Sequence, residues 1–296
     1  VKVVAKLFRY RAPQGPDRFS FPLLRAHIPQ QALVVRSNVM RGTDPLDFAV
    51  VPTHLRHAEG VYDVIRLANG YPLDRYCHCI NPEAVAEQLE RFPDGQFVAV
   101  TYEDGREKVV GMATTMLTSR DPDEEPLAWY DMIGSFGLRN HDPDGSWLYG
   151  VEIAVHPDYQ RHGVGSALYR ARLELIHELD LEGWYAGGML MGYHRYRELM
   201  SPREYGQRVI AGEIIDPTVT MQLRRGFEPR AIVENYYPEW KAGHAAVLLV
   251  YQPSLQQPAR RPRAARPGLG QTEVAAALPV RRAGRARHAA PHPSDV

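Results

Sequence analysis

The sequence predicts a mixed α/β domain, and three observations predict it. An apolar segment, Trp147–Val155, runs through a tight turn bearing Gly163 and Gly165 into a helical stripe of Val164, Ala167, Leu168, Ala171, Leu175 and Leu179. Strand-like and helix-like segments alternate between residues 45 and 252 in the order β-α-α-β-β-β-α-β-α-β-β. The 296 residues are 44% hydrophobic, which fits a globular chain with one large domain or two small ones.

Phe48–Val51 is the first short strand. His54–Asn69 follows as a helix with a core stripe at positions 55, 58, 61, 64, 65 and 68, ending near Gly70. Asn81-Pro82-Glu83 starts a second helix with a cap, a proline at the first position and an acid behind it. That helix runs to Phe92 and stops before Pro93-Asp94-Gly95. Gln96–Tyr102 and Lys108–Leu117 are strands joined by Glu103-Asp104-Gly105, a hairpin signal. Thr118–Gly145 is rich in Asp, Pro and Gly and reads as a loop. After the central strand and helix, Gly183 precedes a strand at Trp184–Gly188. Residues 189–215 form a tyrosine- and arginine-rich insertion. Asp216-Pro217-Thr218 caps a short helix ending at Arg225, Gly226-Phe227 opens a strand, and His244–Tyr251 is the last strand.

The formal net charge is zero but unevenly spread: residues 1–39 and 253–296 each sum to +6, and residues 40–252 to −12. The expected organisation is a peripheral extension (1–39), a domain (40–252) and a basic Arg/Pro/Ala tail (253–296). The tail has too few apolar residues to offset its ordering entropy and reads as disordered. Domain-like sequence follows Met40 at once, which makes it a candidate start. An acidic body favours a cationic partner, and the basic ends are the nucleic-acid footprint, read here as solvated ends. No stretch approaches the about 18 apolar residues of a membrane span, and none has a signal-peptide layout. Two cysteines, Cys77 and Cys79, argue against a disulfide scaffold and fit a reducing, cytoplasmic compartment. Cys77-His78-Cys79 lacks the second ligand pair of a tetrahedral zinc site, so no metal is expected.

The pattern Gln160-x-x-Gly163-x-Gly165 aims several backbone N–H groups, and the positive end of a helix, at one point. Such a point holds a phosphate or pyrophosphate. No third glycine completes a Rossmann fingerprint, and no lysine precedes Ser166 as a P-loop requires. What remains, with its lead-in Ile153-Ala-Val-His-Pro-Asp-Tyr159, resembles motif A of the GNAT superfamily of acyl-CoA-dependent N-acetyltransferases. The element order over residues 45–252 resembles the GNAT order too. Tyr193–Arg225, with Asp216-Pro and Gln222-Leu-x-x-Gly-Phe, also looks like a GNAT subgroup often joined to a carbon–nitrogen hydrolase, although no hydrolase-like stretch is expected within these residues. The resemblance implies a mostly antiparallel twisted sheet with helices on both faces. It implies acetyl-CoA as co-substrate and direct transfer to an amine, without a covalent enzyme intermediate.

Such a transfer makes three demands. The pyrophosphate needs donors, and the motif places Gln160, Arg161, His162, Gly163, Val164, Gly165 and Ser166 around it, with the glycines admitting close approach. The thioester needs an oxyanion donor; the resemblance implies a backbone N–H near Val155, with Ile153, Ala154 and Val155 holding the pantetheine arm by main chain. The amine, with an ordinary pKa near about 10.4, must lose a proton. Glu152 stands where relatives often place an acid, and strict alternation puts it on one face with Ala154 and Gly150, opposite Ile153 and Val151. It is a base if that face meets the cleft and a rim charge if it meets solvent.

Relatives often place a tyrosine, as thiolate-protonating acid, at the position held here by Gln222, which cannot act as an acid. Tyr193, Tyr196, Tyr205, Tyr236 and Tyr237 are substitutes, with solvent as the alternative. Tyr193 is equally an acceptor contact or part of a surface turn. Trp129, Tyr130 and Trp147 are core or cleft aromatics. The expected function is N-acetyl transfer from acetyl-CoA to an amine of a small molecule or a protein, the homodimer being an open arrangement. The rival readings are a non-catalytic acyl-CoA-binding module, motivated by Gln222, and a nucleic-acid-associated protein acting through the basic ends.

Overall fold

The strands fall within about two residues of where their patterns place them: β1 Ala49–Pro52, β2 Gln96–Glu103, β3 Arg106–Thr118, β4 Trp147–Val155, β5 Gly183–Met189, β6 Glu228–Val233 and β7 Ala246–Tyr251. The helices are α1 Ala58–Asn69, α2 Pro82–Arg91, α3 Trp129–Ile133, α4 Val164–Glu178, α5 Pro202–Ile210 and α6 Val219–Leu223. The structure, a computed structural model, describes residues 46–71 and 79–253. The extension 1–39, Met40, Cys77 and the tail beyond Pro253 lie outside the described residues.

One seven-stranded sheet has the order β1-β2-β3-β4-β5-β7-β6, antiparallel throughout except for the parallel pair β4–β5. Alternation along the strands, shifted once by an extra residue at Val110 of β3, sorts the core into two layers. Val98, Val100, Met112 and Ala154 pack with Val61, Val64, Ile65 and Val85 of α1 and α2. Ala99, Val110 and Ala113 meet Val164, Ala167, Leu168 and Ala171 of α4 on the other face. The fold class is therefore the expected one, a mostly antiparallel sheet with helices on both faces.

Caps set the helix starts. Asn81 Oδ1 accepts from Ala84 N–H at 2.9 Å ahead of α2. Asp216 accepts from Thr218 and Val219 N–H at 2.8 and 2.9 Å ahead of α6. Its other oxygen takes Gly192 N–H at 2.8 Å and the Tyr205 hydroxyl at 3.1 Å, so one buried carboxylate ties the insertion to the body.

Two stretches differ from expectation. Thr118–Gly145 is not all loop, since it contains α3. The insertion folds a 3-10 turn, Tyr193–Arg195, and α5. Cys79, where the sequence argued for a reducing compartment, is buried and disulfide-bonded. Among the described residues no helix is long and apolar enough to cross a membrane, and no group of metal-ligating side chains comes together.

Candidate functional site

β4 and β5 pair only from Trp147↔Gly183 to Gly150↔Ala186. Beyond that point β4 stays with β3 as far as Val155, while β5 stays with β7 as far as Met189. The strands part, and a cavity of about 360 Å³ opens between them. The parting begins at a β-bulge. Thr115 pairs with Gly150 and Thr114 with Glu152, which leaves Val151 as an extra residue on β4.

The bulge corrects the expected grouping of Glu152 with Gly150 and decides which side it faces. Its partner Thr114 shares a face with Met112 and Met116, the partners of Ala154 and Tyr149. Glu152 therefore lies with Ala154 and Tyr149, opposite Gly150, and Val151 packs with Tyr149 and Tyr236 instead of opposing this side. The face meets the cleft, and the half-buried Glu152 lines it. Burial pushes its carboxyl up to about 7, against the Ile153 N–H bond and Arg172, which both lower it.

Arg172 of α4 lies beneath the bulge, 2% exposed. It donates to Thr114 O at 3.2 Å and to Glu152 O. Its guanidinium carbon sits 5.1 Å from the Trp184 ring centroid and 6.0 Å from that of Tyr169. Burial lowers its pKa to about 10. Sequence reading missed this residue, although it falls on the apolar stripe of its helix, where an arginine is out of place.

At the far end of β4 the chain turns into α4. Val155 O accepts from the Gln160 side chain at 3.2 Å, and His156 Nδ1 from Asp158 N–H at 3.3 Å, so both side chains shape the turn. Arg161 (φ 67°) and Gly163 (φ 89°) adopt left-handed backbone, and Gly163 is the N-cap of α4. The next bonded amide is Ala167 N–H, which reaches Gly163 O at 3.0 Å. The main-chain N–H groups of Arg161, His162, Gly163, Val164, Gly165 and Ser166 have no acceptor among the described residues. The His162 ring bonds Gln160 O at 2.9 Å, and the Val164 side chain is core. Arg225, also missed, donates to Ser166 Oγ at 2.9 Å beside this loop and lies 5.0 Å over the Tyr169 ring. The loop can receive an anion from a helix N-terminus and a cation together.

Ile153, Ala154, Val155 and Gln160 line the cleft, as do Tyr169, Gln222, Tyr236 and Tyr237. Tyr193 is not among the lining residues; its hydroxyl donates to Met200 O at 3.1 Å. Tyr205 is spent on Asp216 and packs edge-on to Tyr193. Tyr236 is tied to Tyr149 at 2.6 Å, and burial raises both hydroxyls. Tyr169, which the sequence did not single out, lines the cleft with Gln222, and burial raises its hydroxyl. Trp129 reaches the cleft with its indole N–H on Val151 O at 3.0 Å, whereas Trp147 is core against Tyr185.

The family model described as the acetyltransferase (GNAT) family matches residues 61–189, the stretch from α1 through β5. The probable hydrolase YhcX of Bacillus subtilis (strain 168) is 36% identical over 157 residues, covering 53% of this chain and 30% of that protein. The uncharacterized N-acetyltransferase YkwB of the same organism is 29% identical over 170 residues, covering 57% of this chain and 74% of the relative. The chain thus spans under a third of the first relative's length. Among solved structures, the loading GNATL domain of CurA from Lyngbya majuscula aligns with a TM-score of 0.56 at 17% identity, over 69% of this chain and 97% of that one. The GphF GNAT-like decarboxylase in complex with isobutyryl-CoA gives 0.54 at 18%, over 69% and 98%. These two likenesses are of fold alone. The parted strands and the motif helix lie inside the matched stretch, so residues 61–189 are a domain of the acetyltransferase (GNAT) family.

Proposed function

We propose that the domain transfers an acetyl group from acetyl-CoA to an amine by direct attack on the thioester. The observation that carries this reading is the row of six main-chain N–H groups, Arg161 to Ser166, without an acceptor among the described residues, at the head of α4 and the end of the parted strand. A diphosphate fits such a row, with Arg225 as added charge. Ile153, Ala154 and Val155 then run along the cleft as a strand edge for the pantetheine arm. The naming of isobutyryl-CoA in a structure of the same fold is in keeping with an acyl-CoA here.

In the reaction the amine lone pair forms the C–N bond, the C–S bond breaks, and the thiolate leaves with its electron pair. The surplus proton on nitrogen passes to Glu152, whose carboxyl at about 7 is poised between its two forms near neutrality. The acid role that Gln222 cannot fill goes to Tyr169, which lines the same cleft.

The test is thiol release from acetyl-CoA across an amine panel, with Gly165→Asp as the blank. Amine-dependent release that disappears in the variant supports the reading. Tight CoA binding without release for any amine overturns it in favour of a binding module.

A further inference from the structure

One wall of the cleft is built of rings. Trp129 and Phe136 from the α3 segment, Tyr237 from the β6–β7 connection and Tyr71 after α1 all line it. The Trp129 centroid lies 5.1 Å from Tyr130, 5.9 Å from Phe136 and 5.2 Å from Tyr237, and Tyr130 lies 5.6 Å from Tyr237. Burial among the rings raises the hydroxyls of Tyr71, Tyr130 and Tyr237. Two carboxylates enter the same wall, Glu152 and the half-buried Glu239. One Glu239 oxygen takes Lys241 N–H at 2.9 Å, which fixes the side chain.

We infer that this half of the cleft selects a small hydrophobic monoamine, a primary ammonium carried on an aryl-alkyl or alkyl body. The inference rests on the transferase reading for the fate of the amine, but the selection follows from the wall. Aromatic rings beside carboxylates attract a desolvated cation. A polyol would lose its water against a wall made mostly of ring faces, which offer its hydroxyls few partners. A polyamine would bring several charges to two carboxylates, one of which must take the reaction's proton. Its remaining ammonium groups would lie among rings without a counter-charge. The net −12 of residues 40–252 draws cations toward the domain in general, and the rings choose among them.

The experiment is calorimetric binding to the full chain saturated with CoA, using 2-phenylethylamine, its neutral isostere 2-phenylethanol, spermidine and kanamycin. The expected result is that 2-phenylethylamine binds at least about tenfold tighter than each of the others. Glu239→Gln, a near-isosteric change in a surface connection, should cut the amine-over-alcohol preference about tenfold and leave alcohol binding within about twofold. Spermidine or kanamycin binding tighter than 2-phenylethylamine would overturn the inference, as would a preference unchanged in Glu239→Gln. Binding is read here without turnover, so the two proposals fail separately. Acetylation of spermidine but not 2-phenylethylamine sinks this one and spares the transferase. Selective 2-phenylethylamine binding without thiol release does the reverse.

Discussion

Replacing Glu152 by Gln keeps the side-chain oxygen that accepts Ile153 N–H and removes only the titration. In the wild type the carboxyl lies at about 7 where an ordinary one lies at 4.5. The base form should then fall about tenfold per pH unit below 7, to about 1% of its plateau at pH 5, whereas an unshifted carboxyl would keep about three-quarters. The amine titrates as well, so kcat/KM is to be measured with two acceptors of different amine pKa. The limb that stays near pH 7 belongs to Glu152, and the limb that moves belongs to the amine. Glu152→Gln should lose the fixed limb and about 10²–10⁴-fold in rate. The same group leaves a mark on stability. Its folded-state pKa lies above its unfolded one, so its contribution is fully present below about 4.5 and is lost as pH rises through about 7. That gap is worth at most about 3 kcal/mol. Urea unfolding should show the wild type losing up to this much, relative to Glu152→Gln, between pH 5 and 8.5. A fixed limb near 4.5, or one that survives in the glutamine variant, would refute the base assignment.

Gly165→Asp tests the amide row: a Cβ there meets only Val155 Cγ2 at 3.7 Å, so the helix accepts it. Its carboxylate should weaken CoA binding on the order of 100-fold by calorimetry, while the melting temperature without CoA stays level or rises from the helix-dipole interaction. Gly187→Ala would drive a Cβ into the Tyr236 ring, and overpacking of this kind costs about 1–3 kcal/mol in urea unfolding. It should also raise the acceptor KM more than that of acetyl-CoA, since Tyr236 lines the cleft. Arg172→Met removes the donor to Thr114 O and Glu152 O together with a cation that lowers the Glu152 carboxyl. The lost hydrogen bonds and the relieved desolvation of the guanidinium oppose each other in stability, so the decisive readout is the pH–rate limb, which should move above 7.

The strands and the helices α1, α2 and α4 were legible because their periods are long and their caps local. Asn81-Pro82 marks a helix start without any tertiary contact. α3 was not legible: five residues are too few for a period, and tertiary bonds hold its start. Trp129 N–H reaches Tyr236 O at 2.8 Å and its indole N–H reaches Val151 O at 3.0 Å. The Asp, Pro and Gly content that marks the rest of Thr118–Gly145 as loop conceals it. Grouping Glu152 with Gly150 was wrong for a related reason, whereas its grouping with Ala154 holds. Alternation is a rule of unbroken ladders, and nothing in Gly150-Val151-Glu152 itself reveals the extra residue, which is set by pairing with β3. Tyrosines were visible as a class, but their roles were not. Tyr193 and Tyr205 serve the insertion, while Tyr169 emerged only when α4 was laid against α6.

The extra residue at Val151 links the features of the site. A bulge turns carbonyls out of the ladder, and a buried carbonyl without a donor is costly. Here the donors come from the two sides of the cleft: Trp129 of α3 takes Val151 O on the ring-lined side, and Arg172 of α4 takes Glu152 O on the side of the motif helix. The defect that parts β4 from β5 is thus held open by one residue from each half of the cleft, and the carboxyl between them is turned to the cleft face by the same register change. An apolar residue at 172 would fill the volume but remove the donor that Glu152 O and Thr114 O share. A buried guanidinium, whose pKa is depressed to about 10 and still leaves it charged, is therefore the structural consequence of opening a sheet at its centre.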